Sequence, residues 1–364
     1  MPGGFFIRSK LRTRIKVFWA GLLRLTGVLA LGKSWVRRRG AVVLTFHRVL
    51  RDADLELTAS LPGMVVREKT FAGFLDHAAR NCEFLDLSRE ADLAPNSRLK
   101  LAVTFDDGWS DNAVIASPLA RKHGVPLLIF IVPEKTGVAL PFWPERAAAA
   151  LESGLSAGGR HQDRNRVERA IEDLKGLSAE ERDRQLGHLA AAPCPSAPVD
   201  TTMTWEQIAQ LRSLGVSFGS HTATHEILTA IPLTRAEEEI TASRRQIEQK
   251  LGAPCLLFSY PNGDCSDEVR ELVRRAGYRR AFLNRDPGIW TRGCDPYLVP
   301  RVNVCEYHLV DAKGNFSPLI FDYAVVWSAV KGHLAKMGSA AWKKLRHGPS
   351  TTKDTKKHEG FSRL

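Results

Sequence analysis

The 364-residue sequence has no CxxC pair among its six cysteines (82, 194, 255, 265, 294 and 305). That removes the spacing of a cysteine metal or redox motif. Six cysteines in so long a chain are also too sparse for a small disulfide-framed domain, so buried or free thiols are expected. Long apolar runs are missing too. The best stretch, 17–32, falls short of the ~20 residues a membrane-spanning helix needs, and Arg24 interrupts it. No internal repeat is visible. Acid is absent from residues 1–40, which carry ten Lys/Arg, and scarce in 331–364, where nine Lys/Arg face only Asp354 and Glu359. With a net charge of +12 overall, the body between these ends is slightly acidic. It therefore lacks the basic stripe of a nucleic-acid groove, while the two basic ends suit contact with anionic lipid.

Residues 1–40 form a basic amphipathic segment. On a helical wheel Leu11, Ile15, Phe18, Leu22, Leu25 and Leu29 share one face, and Arg8, Arg12, Lys16 and Arg24 share another. This is the pattern of a helix lying in a membrane interface. A secretory signal or anchor, with small residues at Ala30 and Gly32, and a packed soluble helix remain as alternatives. The segment allows two locations: the inner membrane of a bacterial-type cell, at its cytoplasmic face, or the envelope after export.

From 41 onward, short β-branched runs alternate with helical patterns. Strands are expected over 41–49, 84–87, 99–105, 125–132, 216–221, 256–260, 279–283 and 298–304. Helices are expected over 68–80, 110–122, 204–214, 233–251 and 266–276. Such alternation predicts parallel strands joined by crossover helices. Residues 141–200 break the rhythm with a helical insertion on the barrel rim and a proline-rich return loop. An amphipathic helix follows within 311–346, and a basic tail, 347–364, is expected to be disordered.

Three motifs fall at the ends of expected strands. The 99–105 strand runs into Asp106-Asp107-Gly108. Alternation aims the two carboxylates differently unless the turn at Gly108 re-aims one, so they could bind a cation and move a proton. His221-Thr222-Ala223-Thr224-His225 offers two imidazoles on one face of a helical turn. Two imidazoles and one carboxylate make a three-ligand site with an open position, the arrangement of a catalytic metal. The third motif is the turn Tyr260-Pro261-Asn262-Gly263.

Thr104-Phe105-Asp106-Asp107-Gly108, Ser220 to His225 and Phe258 to Gly263, in that order, resemble the motifs of the NodB-homology polysaccharide deacetylases, carbohydrate esterase family 4. The resemblance covers about 41–304, without 141–200. It implies an α/β fold, a distorted (β/α)7 TIM-like barrel, here spanning 41–310. It implies that Asp107, His221 and His225 hold one divalent metal, Zn²⁺ first, with Co²⁺, Ni²⁺ or Fe²⁺ possible. Asp106 would be the general base, and the backbone N–H of Tyr260 would serve the oxyanion, with Pro261 and Gly263 shaping the substrate turn. Two positions depart from the family. Many members have an arginine where Ser259 stands, so support for the base must come from elsewhere or be absent. The late Leu-x-His motif is also missing. His47, in Phe46-His47-Arg48-Val49, could replace it as the general acid, as in the branch acting on poly-β-1,6-linked N-acetylglucosamine. The expected activity is removal of N-acetyl groups from N-acetylhexosamine-containing glycans. An O-acetyl esterase, and a catalytically silent glycan- or membrane-binding barrel, are the alternatives.

Overall fold

The computed structural model describes residues 10–347, apart from 91, 140–141, 154–163, 176, 178, 190–199 and 285–286. The expected tail beyond His347 and most of the proline-rich return loop lie outside the described residues. The described strands are β1 (Gly40–Phe46), β2 (Arg48–Leu50), β3 (Val65–Arg67), β4 (Cys82–Phe84), β5 (Leu99–Phe105), β6 (Leu127–Ile131), β7 (Ser217–Ser220), β8 (Leu257–Ser259), β9 (Arg280–Phe282), β10 (Trp290–Thr291) and β11 (Val302–Asn303).

One large sheet runs β10-β1-β5-β6-β7-β8-β9, with β11 also on β1 and β4 also on β5. Every pairing in it is parallel except β1 with β10. The sheet curls until its ends meet. Leu283 N–H donates to the Val299 carbonyl (2.9 Å) and Val304 N–H to that of Thr45 (2.8 Å). Pro300 cannot donate within this closing stretch, which is why the expected 298–304 strand shrinks to β11 and a bridge at Val299. The fold is thus the mixed α/β arrangement that the alternation predicts, closed into the TIM-like barrel that the resemblance implies.

The strand pattern explains the two-sided burial. In β1 and β5 all seven residues are buried. Val42, Leu44 and Phe46 with Leu101, Val103 and Phe105 meet the surrounding helices, where Phe46, Phe71, Phe74 and Phe105 form an aromatic cluster. Ala41, Val43 and Ala102 face Leu128, Phe130 and Phe282 across the barrel. Parallel strands buried on both faces read as continuous apolar runs, as these do.

Two expectations need correction. The 41–49 strand breaks at His47: β2 leaves the barrel and pairs with β3 instead. The N-terminal segment is two helices, Lys10–Leu25 and Val28–Arg39, bent by 74° at Gly27, whose φ of 76° suits only glycine comfortably. Leu29 therefore leaves the outer apolar face and is buried. Lys16, assigned to the basic face, is buried as well and donates to the carbonyls of Tyr307 (2.6 Å) and Val310 (2.9 Å). No single described helix is long and apolar enough to cross a membrane. Within 141–200, helices Trp143–Ser153, Arg164–Lys175 and Ala179–Leu189 share a small core around Trp143, Ile171 and Leu186.

Candidate active site

Parallel strands place the C-terminal ends of β1, β5, β7 and β8 at one mouth. Asp106 continues the β5 alternation into the barrel. Asp107 has φ 72° and Gly108 has φ 72°, and this left-handed pair turns the Asp107 carboxylate back toward the mouth. A Cβ at Gly108 would lie 3.0 Å from Ile131 Cγ2 on a backbone at positive φ, so glycine is strongly favoured there. Trp109 Nε1 donates to Asp107 Oδ2 (3.1 Å), fixing the carboxylate.

The two histidines meet by a different route from the one expected. Residues 221–225 form an irregular loop rather than a helical turn, with Thr222 at φ 65° and His225 at φ 73°. Thr222 Oγ1 accepts from His225 N–H (3.0 Å), and Glu239 accepts from Thr224 N–H (2.9 Å) and Oγ1 (2.8 Å). Asp107, Thr222, His225 and Asn262, the described non-glycine residues at positive φ, all lie in the three motif loops. Such conformations cost about 1–3 kcal/mol each and persist where the surroundings enforce them.

The result is a compact donor set. His221 Nδ1 lies 2.8 Å from the Ser259 carbonyl, a contact that puts its proton on Nδ1 and leaves Nε2 as a lone-pair donor. His221 Nε2 and His225 Nε2 stand 3.6 and 3.4 Å from Asp107 Oδ1. The ligand atoms of Asp107, His221 and His225 all fall within 4.8 Å of one another. Burial pushes the His221 imidazolium down to about 4, so this imidazole is neutral and able to ligate at neutral pH. Burial would raise Asp107, but the His225 imidazole outweighs it and holds the carboxyl below its ordinary range. These residues fit a divalent cation.

Asp106 is 4.0 Å from His221 Nε2. It is held by Arg301, whose role the sequence reading missed. Arg301 is fully buried and donates from Nη1 to Asp106 Oδ1 (2.8 Å) and from Nη2 to Oδ2 (2.7 Å). Nη2 also donates to Ser259 Oγ (2.7 Å), Nη1 to Thr104 Oγ1 (3.1 Å) and Nε to the Leu283 carbonyl (2.9 Å). The arginine missing at 259 is thus replaced from the closing strand, across the barrel. Burial would push Asp106 up, but the guanidinium prevails and holds it below the usual carboxylate range.

Two further groups approach these carboxylates. His47 is buried between β1 and β2, and its Nδ1 has no hydrogen-bond partner among the described residues. It lies close enough to Asp106 and Asp107 to lower both. Glu145, from the insertion, was also missed. Burial and then the Asp107 charge push it up to about 7, and Ser60 Oγ donates to it (3.3 Å). Phe142 packs on His225 (ring centroids 4.9 Å) and on Trp109 (5.2 Å). Arg48 underlies this wall. Fully buried, it stacks 4.2 Å from the Trp109 ring and pairs with Asp111 (2.9 Å) and Asp200. The only sequence hint was an aromatic-acid cluster, Phe142-Trp143-Pro144-Glu145, in a stretch otherwise free of motifs.

The assignment of Tyr260 is corrected. Its N–H donates to the Phe282 carbonyl (3.1 Å) as part of the sheet, its ring is fully buried, and its hydroxyl donates to the Tyr297 carbonyl (3.1 Å). It has no donor left for the mouth. Pro261 and Gly263 do form the expected turn, closed by Gly263 N–H on the Tyr260 carbonyl (2.9 Å), with Asn262 at its apex at φ 57°.

The family model for polysaccharide deacetylases matches residues 94–281. That range includes all three motifs but neither His47 nor Arg301. Bacillus subtilis YxkH, whose name places it among the polysaccharide deacetylases, is 22% identical over 213 residues, 58% of this chain and 54% of the relative. The chain thus aligns with about half the length of that relative. Among solved structures, IcaB from Ammonifex degensii is 18% identical, with a TM-score of 0.51 over 80% of this chain and 97% of its own. A polysaccharide deacetylase from Bacillus cereus is also 18% identical, with a TM-score of 0.51 over 79% of this chain and 69% of its own. These two share the fold.

Proposed function

Because the chain belongs to the polysaccharide deacetylase family, we propose that it is a metal-dependent N-deacetylase that releases acetate from glycans containing N-acetylhexosamine. The observation that carries this reading is the pairing of Asp106 with Arg301 beside the donor set of Asp107, His221 and His225. A binding-only barrel has no use for a buried carboxylate kept ionised next to three converging ligand atoms.

Two imidazoles and a carboxylate suit Zn²⁺, with Co²⁺, Ni²⁺ or Fe²⁺ as other occupants. When bound, the cation would supply Lewis acidity toward water and the acetyl carbonyl. Asp106, ionised and aimed into the mouth, takes the proton of the attacking water. Tetrahedral collapse then expels an amine, which leaves only if its nitrogen is protonated. His47 gives that proton, since its Nδ1 is buried and unpaired close to both carboxylates. The oxyanion needs an N–H donor. Those of Tyr260 and Gly263 are committed, so we assign this role to that of Asn262 at the turn's apex. Matched oligosaccharides bearing either N-acetyl or O-acetyl groups, assayed for acetate with and without chelator, test this reading. The N-acetyl substrate should react and the chelator should stop it. Turnover of only the O-acetyl substrate would make the protein an esterase, and no turnover of either would favour the silent barrel.

A further inference from the structure

Thirteen large apolar side chains are exposed among the described residues, and eight of them belong to the terminal helices. Soluble proteins scatter such residues singly, so this concentration calls for a partner. Phe18 (64% exposed) and Leu25 (87%) project from helix Lys10–Leu25, Leu31 (70%) from Val28–Arg39, and Leu334 and Met337 from Trp327–His347. The three helices adjoin. A Cβ on Gly32 would sit 3.2 Å from Trp327, Lys33 pairs with Asp322 (3.0 Å), and Trp35 meets His333 edge-on (5.4 Å between ring centroids). Their opposite faces are committed to the barrel: Ala20, Leu29 and Val36 are buried, and Lys16 is tied to the Tyr307 and Val310 carbonyls. Those carbonyls follow β11, which runs parallel to β1, so the first helix reaches the mouth end of the barrel.

Charge selects the partner. Arg14, Arg24, Arg38, Arg39, Lys331 and Lys336 are exposed on these helices, whose sequences contain no acid. A second copy would meet the same charge, and nucleic acid has no need of an apolar ridge. We propose that the three helices form one docking surface for an anionic lipid bilayer. The apolar side chains enter the headgroup-acyl boundary and the cations meet lipid phosphates. The docked inner face argues against the bent helix pair crossing the bilayer, since crossing would strip Lys16 and Val36 from the barrel.

Flotation of the full chain with phosphatidylcholine vesicles, with and without phosphatidylglycerol, tests this. The protein should float only with the anionic vesicles and be released by high salt. Phe18→Ser/Leu25→Ser/Leu31→Ser should cut the bound fraction about tenfold with the unfolding temperature unchanged. Should that variant fail to fold, Arg14→Gln/Arg24→Gln/Lys336→Gln should give a similar loss. Absence from anionic vesicles, or both variants binding like wild type, would overturn the proposal. So would retention through high salt and carbonate, which means insertion, or a wild-type dimer in sedimentation that the serine variant dissociates.

Discussion

Replacing Arg301 by methionine removes both guanidinium bonds from Asp106 while keeping an apolar stem among Phe130 and Phe282, whose rings lie 5.3 and 6.0 Å from the guanidinium carbon. Breaking one partner of a buried ion pair costs about 3–5 kcal/mol, because the other charge is left uncompensated. Asp106 can escape that cost by taking a proton. With the guanidinium gone, burial is the largest influence left on Asp106, so its pKa should rise. In the wild type the depressed pKa adds stability above the unfolded value, and this is lost as pH falls through the folded one. In Arg301→Met the folded pKa lies above the unfolded one, so the sign reverses: the variant is penalised at neutral pH and relieved on acidification. The acidic limb of kcat/KM should therefore move toward neutrality. The gap in unfolding temperature between wild type and variant should narrow from pH 7 to pH 5. A variant with the wild-type acidic limb and a constant gap would refute the role given to Arg301.

Other replacements separate the roles. Asp107→Ala and His225→Ala should lose the bound divalent metal by elemental analysis, and wild-type metal content in both would displace the site. Asp106→Asn should keep the metal yet lose about 10²–10⁴-fold in turnover, and a near-normal rate would remove it as base. His47→Ala should slow amide hydrolysis far more than hydrolysis of an activated aryl ester, whose leaving group needs little protonation. Glu145→Gln should slow both alike. If the amide-selective loss appears with Glu145→Gln instead, the acid is Glu145.

Much of this was legible because strand ends carry local signatures. Asp106-Asp107-Gly108 and the two histidines declare themselves by type and spacing, and a parallel barrel brings strand ends together whatever lies between. What the sequence hid were partners made by closure. Arg301 lies 195 residues from Asp106, and only the wrap of β11 onto β1 joins them. Asp200 reaches Arg48 over 152 residues, and Glu145 comes from a stretch with no periodic link to the barrel. Backbone detail was hidden as well. The positive φ at Thr222 and His225 does the work expected of a helical turn, and the Tyr260 N–H is consumed by a sheet bond that no motif reveals. At the N-terminus, Gly27 bends what a single wheel treats as one helix.

Hydrolysis of an acetamide with the help of a metal held by Asp107, His221 and His225 is the core of the proposed function. Its most direct measurement is the molar ratio of acetate released to primary amine formed on an N-acetylhexosamine oligomer, for wild type and Asp107→Ala in parallel. Wild type should give a ratio of about one, abolished by chelator and restored by Zn²⁺, with neither product from the variant. Acetate without amine, or undiminished product from Asp107→Ala, would contradict it.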